Sequence, residues 1–377
     1  MIRRAEKMLR RQILPFWLGL KDPRGGFYGG TDGQGRIIPD SDRGAVLNAR
    51  ILWTFSAAFR ILGEPQYAGA ARWALEYFLQ HFVDGGNGGV FWCLDSDGVP
   101  NEDKKQLYAL SFAIYGLSEA FLALGDQRAL SAAVGIFSLI ERHFHDPLFG
   151  GYLEAFKRDF SPLDDMSLSD KDINASKTMN SHIHLMEAYA ALYRVWPDAS
   201  LEWALRELFV IMGKRMTGSD GHLGLYFDSD WTVLPGEVSP GHDIETSWLL
   251  IECASVLNDQ TLMEQIVPVS LRLGNAGLGA GDIPSGEWWV YAETVVGNIY
   301  MHLFHGDTAA LDRASRCFEF IEKKLVDREH GEWYWGLLPD GTPDRDSPKA
   351  GFWKCPYHNS RMCLEILTKL GHPSQHG

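Results

Sequence analysis

Six times along the chain a glycine stands just before aromatic residues, and the intervals between these points are long enough for two helices. The instances are Gly25-Gly26-Phe27-Tyr28, Gly88-Gly89-Val90-Phe91-Trp92, Gly150-Gly151-Tyr152, Gly224-Leu225-Tyr226, Gly286-Glu287-Trp288-Trp289 and Gly331-Glu332-Trp333-Tyr334-Trp335. Successive members mostly lie about 60 residues apart, and internal periodicity on that scale marks a repeat architecture. Between them, apolar residues recur at helical spacing over 47–62, 65–82, 107–124, 127–143, 180–195, 199–217, 244–257, 259–273, 293–304, 307–325 and 359–370. With the N-terminal segment this predicts about a dozen helices, and strand-like alternation is scarce.

A helix pair repeated six times buries its apolar faces in an open solenoid or in a closed ring. An open solenoid favours uniform repeats with polar capping helices. Here the loops differ in length and carry aromatic, acidic and imidazole residues suited to lining a pocket. The expected fold is therefore all-α, an (α/α)6 toroid of six helical hairpins with the glycine- and aromatic-rich loops over the pocket. No Pro/Gly/Ser-rich linker divides it, so one domain is expected over residues 1–377.

Composition narrows the partners. With 45% apolar and 12% aromatic residues in 377, the chain can bury a large interior, which excludes intrinsic disorder. The 35 Lys and Arg against 49 Asp and Glu leave a net charge of −14, spread along the chain, so nucleic acid and anionic membranes are poor partners. Cys93, Cys253, Cys317, Cys355 and Cys363 lack C-x-x-C spacing, which argues against a disulfide framework and a structural zinc site and fits a reducing cytoplasm. The opening segment is interrupted by Glu6, Lys7, Arg10, Arg11 and Pro15, so it is expected to be a helix rather than a signal peptide. No run approaches the roughly 20 apolar residues of a membrane span.

Tryptophan and tyrosine interspersed with Asp, Glu, Asn and His suit a neutral polyhydroxylated ligand, because sugar C–H faces stack on rings while hydroxyls require paired donors and acceptors. Among thirteen histidines, three have informative surroundings. Asn180 and His184 are four apart and share a helix face, while His182 points elsewhere. His242 and Glu245 are three apart at a helix start, a spacing at which the carboxylate fixes the imidazole tautomer. His358 stands just before the last helix. A metal site, a glycosidase with Asp172 and Glu245 as its carboxylates, and proton transfer at carbon by imidazoles from separate hairpins all fit this set. The metal reading is weakest, since no H-x-x-x-H or H-E-x-x-H pair presents two imidazoles from one helix.

At these residues the sequence resembles the N-acylglucosamine 2-epimerase superfamily, and within it the cellobiose 2-epimerase branch. The matching segments are Asn48 to Ser56 (NARILWTFS), Gln106 to Phe112 (QLYALSF), Lys177 to Tyr189 (KTMNSHIHLMEAY), Gly241 to Leu250 (GHDIETSWLL), Glu287 to Glu293 (EWWVYAE) and Trp353 to Arg361 (WKCPYHNSR). They cover nearly the whole chain from the first glycine-aromatic loop onward. The resemblance implies an α/α toroid and C2 epimerisation of the reducing-end sugar of a β-1,4-linked disaccharide through an enediolate. It implies His242 and His358 as the acid/base pair and His184 near the developing oxyanion. Arg50, Tyr108, Asn180 and Glu245 would complete the reducing-end pocket, Trp289 and Trp353 would be stacking platforms, and Trp288 and Asp172 would be further sugar contacts. No cofactor and no metal are expected, the partner is a small sugar, and the protein is expected to be a monomer or weak homodimer. The alternatives are a mannose 2-epimerase, an aldose–ketose isomerase, an N-acylglucosamine 2-epimerase, a glycosidase and a non-catalytic sugar-binding module. Where relatives usually carry Gln or His after Trp-Trp-Val, this chain has Tyr291, which is expected to alter hydrogen bonding near the stacking pair.

Overall fold

A computed structural model describes residues 1–279, 281, 283 and 286–371. In chain order the helices are α1 (Ile2–Met8), α2 (Leu14–Leu18), α3 (Ala45–Leu62), α4 (Pro65–Tyr77), α5 (Leu107–Leu124), α6 (Gln127–His143), α7 (Met179–Tyr193), α8 (Ala199–Ile211), α9 (Pro240–Ser255), α10 (Gln260–Leu278), α11 (Trp288–His305), α12 (Ala310–Lys324) and α13 (Tyr357–Gly371). A π-helical turn, Leu9–Ile13, joins α1 to α2, and similar turns, Phe78–Phe82 and Met212–Met216, extend α4 and α8. The helices fall close to the stretches expected from periodicity. The main shift is at α11, which begins at Trp288, so the tryptophan pair opens a helix rather than lying in a loop.

Helices α3, α5, α7, α9, α11 and α13 pack side by side, and α13 returns against α3, so the ring closes. Each has an outer partner: α4 lies on α3, α6 on α5, α8 on α7, α10 on α9, α12 on α11 and α1 on α13. The architecture is the expected (α/α)6 toroid, with one feature that periodicity does not reveal: the sixth hairpin joins the two ends of the chain.

The two rings have different burial because they have different surroundings. On outer α12, Ala310, Ala314, Cys317, Phe318 and Ile321 form one buried stripe at helical spacing. On inner α3 every residue from Ala45 to Ala58 is buried, since the outer ring covers one side and neighbouring staves the others. This is why α3 and α5 are long and apolar enough, by length and composition, to cross a membrane while being mostly covered by the rest of the chain. The staves also approach closely: a Cβ on Gly116 of α5 would lie 2.6 Å from the Ala49 carbonyl oxygen of α3.

At one end of the ring the loops form antiparallel pairs two or three residues long. Arg43–Gly44, Cys93–Leu94 and Pro100–Glu102 make one sheet, Lys105–Gln106 pairs with Ala155–Phe156, and Lys177–Thr178 with Tyr226–Phe227. The glycine-aromatic turns are pinned there by buried ion pairs: Asp22 to Arg43 (2.5 Å), Asp84 to Lys105 (2.9 Å), Asp146 to Lys177 (2.8 Å) and Asp327 to Lys349 (2.5 Å). In the last three the other carboxylate oxygen accepts from two amides of its own turn, as Asp84 Oδ1 does from Gly86 and Asn87. Each turn is thus fixed by a cation supplied from the next segment of chain.

Because Lys105 is fully buried, Asp84→Ala leaves it without its carboxylate and should cost about 3–5 kcal/mol, read as a lowered urea midpoint. Adding Lys105→Met should restore part of that loss. Burial would raise the Asp84 carboxyl, but Arg158 and Lys105 hold it well below the usual range. Its stabilising contribution is therefore complete at neutral pH and is lost only as pH falls through that depressed value.

Candidate active site

The lumen opens at the loop end into a cavity of about 470 Å³. Arg50, Tyr108, Asp172, Asn180, His184, His242, Glu245, Trp288, Trp289, Trp353 and His358, the residues singled out in the sequence, all line it, together with Leu168 to Lys171, Glu287 and Trp335. They come from all six inner helices and the loops above them, so ring closure brings together positions as distant in sequence as Arg50 and His358.

His242 lies in the first turn of α9, and its Nδ1 meets the Oγ of the N-cap residue Ser239 at 2.7 Å. His358 lies in the first turn of α13, with Nδ1 2.7 Å from Glu293 Oε1. His184, on α7, sets Nδ1 3.1 Å from Glu187 Oε2. In all three rings Nδ1 is engaged by the protein, leaving Nε2 for the cavity. Burial holds His242 and His184 down to about 4. Burial, reinforced by Arg50 and Arg361, holds His358 well below the usual imidazole range. The indole of Trp289 contacts both outer imidazoles, with ring centroids 4.7 Å from His242 and 5.8 Å from His358.

Beneath these rings lies Arg361. One of its terminal nitrogens donates to Glu187 Oε1 at 2.6 Å, and the other to Glu245 Oε1 at 2.8 Å and Glu293 Oε1 at 2.7 Å. Tyr357 donates its hydroxyl to Glu187 Oε2 at 2.5 Å, and Trp248 its indole N–H to Glu293 Oε2 at 2.8 Å. Burial alone would raise the Glu187 carboxyl; Arg361 and His184 bring it down to about 2. Arg50 donates to the Tyr108 hydroxyl at 2.8 Å, lies 3.5 Å from Cys355 Sγ and stands 4.0 Å over the Phe112 ring. Asn180 Oδ1 is buried without a protein partner, an acceptor left for a ligand hydroxyl. Asp172 is held at the mouth by Tyr226 (2.8 Å) and Ser169 (2.6 Å). Trp289 donates its N–H to Glu287 at 3.1 Å, whereas Trp288 is almost wholly buried between Trp335 and Lys354 and offers the cavity only part of its surface.

Two expectations are corrected. Glu245 does not fix His242: the N-cap serine takes that imidazole, while Glu245 turns to Arg361. The expected three-residue histidine–glutamate relation occurs instead between His184 and Glu187. Tyr291 does not border the stacking pair. On α11, Trp289 and Glu293 are four apart and face the lumen; Tyr291 lies two positions on, across the helix, where its ring stacks on Phe320 with centroids 5.6 Å apart.

The residues missed by sequence reasoning are those that hold the named ones. Glu187, Glu293, Tyr357 and Arg361 all sat inside the matched segments, and Glu187 and Glu293 fall at helical spacing from His184 and Trp289. Ser239 is recognisable as an N-cap before a proline.

Glu245, Glu293 and His358 have donor atoms within 4.8 Å of one another, a spacing compatible with a cation. Arg361 already bonds both carboxylates, so its guanidinium supplies the positive charge there. The chemistry available is proton transfer by uncharged imidazoles beside guanidinium and hydroxyl donors.

The family model described as N-acylglucosamine 2-epimerase (GlcNAc 2-epimerase) matches residues 26–360. The chain is 47% identical to a cellobiose 2-epimerase of Bacteroides fragilis over 381 residues, covering 96% of this chain and 97% of that protein. It is 36% identical to a cellobiose 2-epimerase of Ruminococcus albus over 388 residues, covering 98% and 99%. The solved structure of cellobiose 2-epimerase from Spirochaeta thermophila superposes with a TM-score of 0.91 at 37% identity, covering 98% and 96%.

Since Tyr291 belongs to the interface between α11 and α12, Tyr291→Phe, which keeps the ring on Phe320 and removes the hydroxyl's contact with the Gly286 backbone, should cost about 1 kcal/mol. Sugar affinity, followed by tryptophan fluorescence, should stay unchanged. Tyr291→Gln should destabilise further, by about 2–3 kcal/mol in thermal unfolding, because it buries an amide against Phe320. A large change in affinity with Phe would put residue 291 back in the site.

Proposed function

Since the chain belongs to the N-acylglucosamine 2-epimerase family, we propose that it inverts C2 of the reducing-end aldose of a β-1,4-linked disaccharide of the cellobiose or lactose type. The observation that carries this reading is the pair of uncharged imidazoles, His242 and His358, lining one cavity and both contacting the Trp289 indole, each with Nδ1 held by the protein. The cavity volume of about 470 Å³ suits a disaccharide, and Trp289 and Trp353 offer faces for its sugar rings.

The hemiacetal opens with its oxygen near His184. One imidazole takes the C2 proton through Nε2, and negative charge moves onto the enediolate oxygens. Arg50 and His184 stabilise that charge as it develops. Rotation about C2–C3 turns the other face of C2 toward the second imidazole, which returns a proton with inversion. Without that turn the proton would return to the original face of C2 or pass to C1. Asn180 and Asp172 bind hydroxyls. Neither metal nor cofactor enters, and prolonged chelation should leave turnover unchanged.

Incubation with cellobiose, lactose, mannose and N-acetylmannosamine followed by chromatography tests the substrate class. The expected product is the 2-epimeric disaccharide with no glucose released; preferred turnover of a monosaccharide would refute the disaccharide assignment, and glucose release would indicate hydrolysis. In deuterated water the product should carry deuterium at C2. His242→Ala and His358→Ala should each lower kcat by about 10²–10⁴ with circular dichroism unchanged. Since the imidazoles act as free bases and burial holds His242 near 4, kcat/KM should stay level well below pH 6 and fall only as pH approaches 4, where the ring takes a proton.

A further inference from the structure

The charges around Arg361 do not balance. Glu187, Glu245 and Glu293 all accept from that guanidinium. The other buried guanidinium at the cavity, Arg50, bonds the Tyr108 hydroxyl and Cys355 Sγ, and Lys354 is matched separately by Glu332. Three carboxylates against two guanidiniums leave one negative charge uncompensated in a buried site, an expensive arrangement unless a proton neutralises it.

Glu187 is not the group that takes this proton. Its oxygens accept from Arg361, Tyr357 and His184, and that donor set keeps it ionised. Glu245 and Glu293 instead share a single nitrogen of Arg361 and lie, with His358 Nδ1, within 4.8 Å of one another. Two carboxylates so close do not both ionise readily. Burial pushes Glu245 up to about 8 and raises Glu293 in the same direction. Among the imidazoles facing them, His184 and His242 are occupied elsewhere by Glu187 and Ser239, so His358 is the ring in contact with this pair, 2.7 Å from Glu293 and 3.9 Å from Glu245.

We propose that Glu245 and Glu293 hold one proton between them in the resting protein, and that Glu293 passes it to Nδ1 of His358 as the Nε2 proton of that ring is delivered to C2. With Glu293 protonated, its O–H donates to Nδ1, and the neutral ring carries its own proton on Nε2, facing the sugar. On delivery, the Nε2–H bond breaks as the C2–H bond forms, while the Glu293 O–H bond breaks as Nδ1–H forms. The ring stays neutral throughout, no imidazolate arises, and Glu293 ends as a carboxylate on Arg361. His242, having taken the original C2 proton, ends as the imidazolium beside Ser239; that proton returns through solvent to the carboxyl pair after product leaves. Glu293 touches the imidazole rather than the sugar and is a positioning residue with a proton to lend.

This use of the proton rests on the two-imidazole reading, but its location is measurable on the free protein. Infrared spectra of wild type and Glu245→Gln/Glu293→Gln at pH 7, in water and deuterated water, should differ by one deuterium-sensitive protonated-carboxyl band and one carboxylate band. A difference of two carboxylate bands and no protonated one overturns the proposal, whether or not any sugar is turned over. Should the double variant fail to fold, the wild-type pH profile decides. Loss of the shared proton should give kcat/KM an alkaline limb near pH 8, and Glu293→Gln should abolish that limb while lowering kcat by about 10–100-fold. A wild-type profile flat from pH 7 to 9.5, or a limb unmoved in Glu293→Gln, overturns it equally.

Discussion

One buried guanidinium joins four of the six inner helices. Arg361 projects from α13 to carboxylates on α7, α9 and α11, and Tyr357, one turn earlier on α13, reinforces the contact to α7. Removing one member of a buried charge network leaves its partners uncompensated, typically at about 3–5 kcal/mol. The same contacts determine where the carboxylates stand, and these in turn orient His184 and His358. The joining of these four helices and the orientation of His184 and His358 therefore converge on a single side chain, while His242 is held by Ser239.

The loop end obeys a related logic. Four turns are held by an aspartate that bonds its own turn or neighbouring backbone and a cation arriving from the following segment. The cations stand in the segments that lead into α3, α5, α7 and α13, so these helix starts are fixed, and His358 lies in the first turn of the last of them. His242 on α9 is held instead by its N-cap Ser239, and the stretch from Leu168 to Asp172 at the mouth by partly exposed contacts of Ser169 and Tyr226.

Features that depend on local chain geometry were legible in the sequence. Helical periodicity located the staves, the glycine-aromatic spacing gave the number of hairpins, and the neighbours of three histidines drew attention to segments that line the cavity. What escaped were pairings across the ring. Glu293 reaches His358 over 65 residues and Glu187 reaches Arg361 over 174, and no local pattern encodes such partners. The His242–Glu245 spacing misled for the same reason: proximity along a helix permits a contact, but Ser239 and Arg361 competed for the two groups and won. The joining of the chain ends in the sixth hairpin is likewise a property of closure, invisible to any window of sequence.

Helix α11 illustrates how one segment serves both stability and the site. Trp288 packs against Trp335, Trp289 faces the cavity, Tyr291 stacks on Phe320 beneath the outer ring, and Glu293 returns to the lumen beside His358. A helix completes a turn in about 3.6 residues, so neighbouring positions answer to different surroundings and the two demands do not compete for one side chain. Repeated around a ring, this division lets each stave contribute one or two lumen residues while its remaining faces are spent on packing. The arrangement has one asymmetry. Tyr357, His358 and Arg361 all lie on α13, whose outer partner is α1 from the opposite end of the chain. His358 and Arg361 therefore meet their carboxyl partners on α9 and α11 only where α13 closes the ring, which ties assembly of the site to completion of the fold.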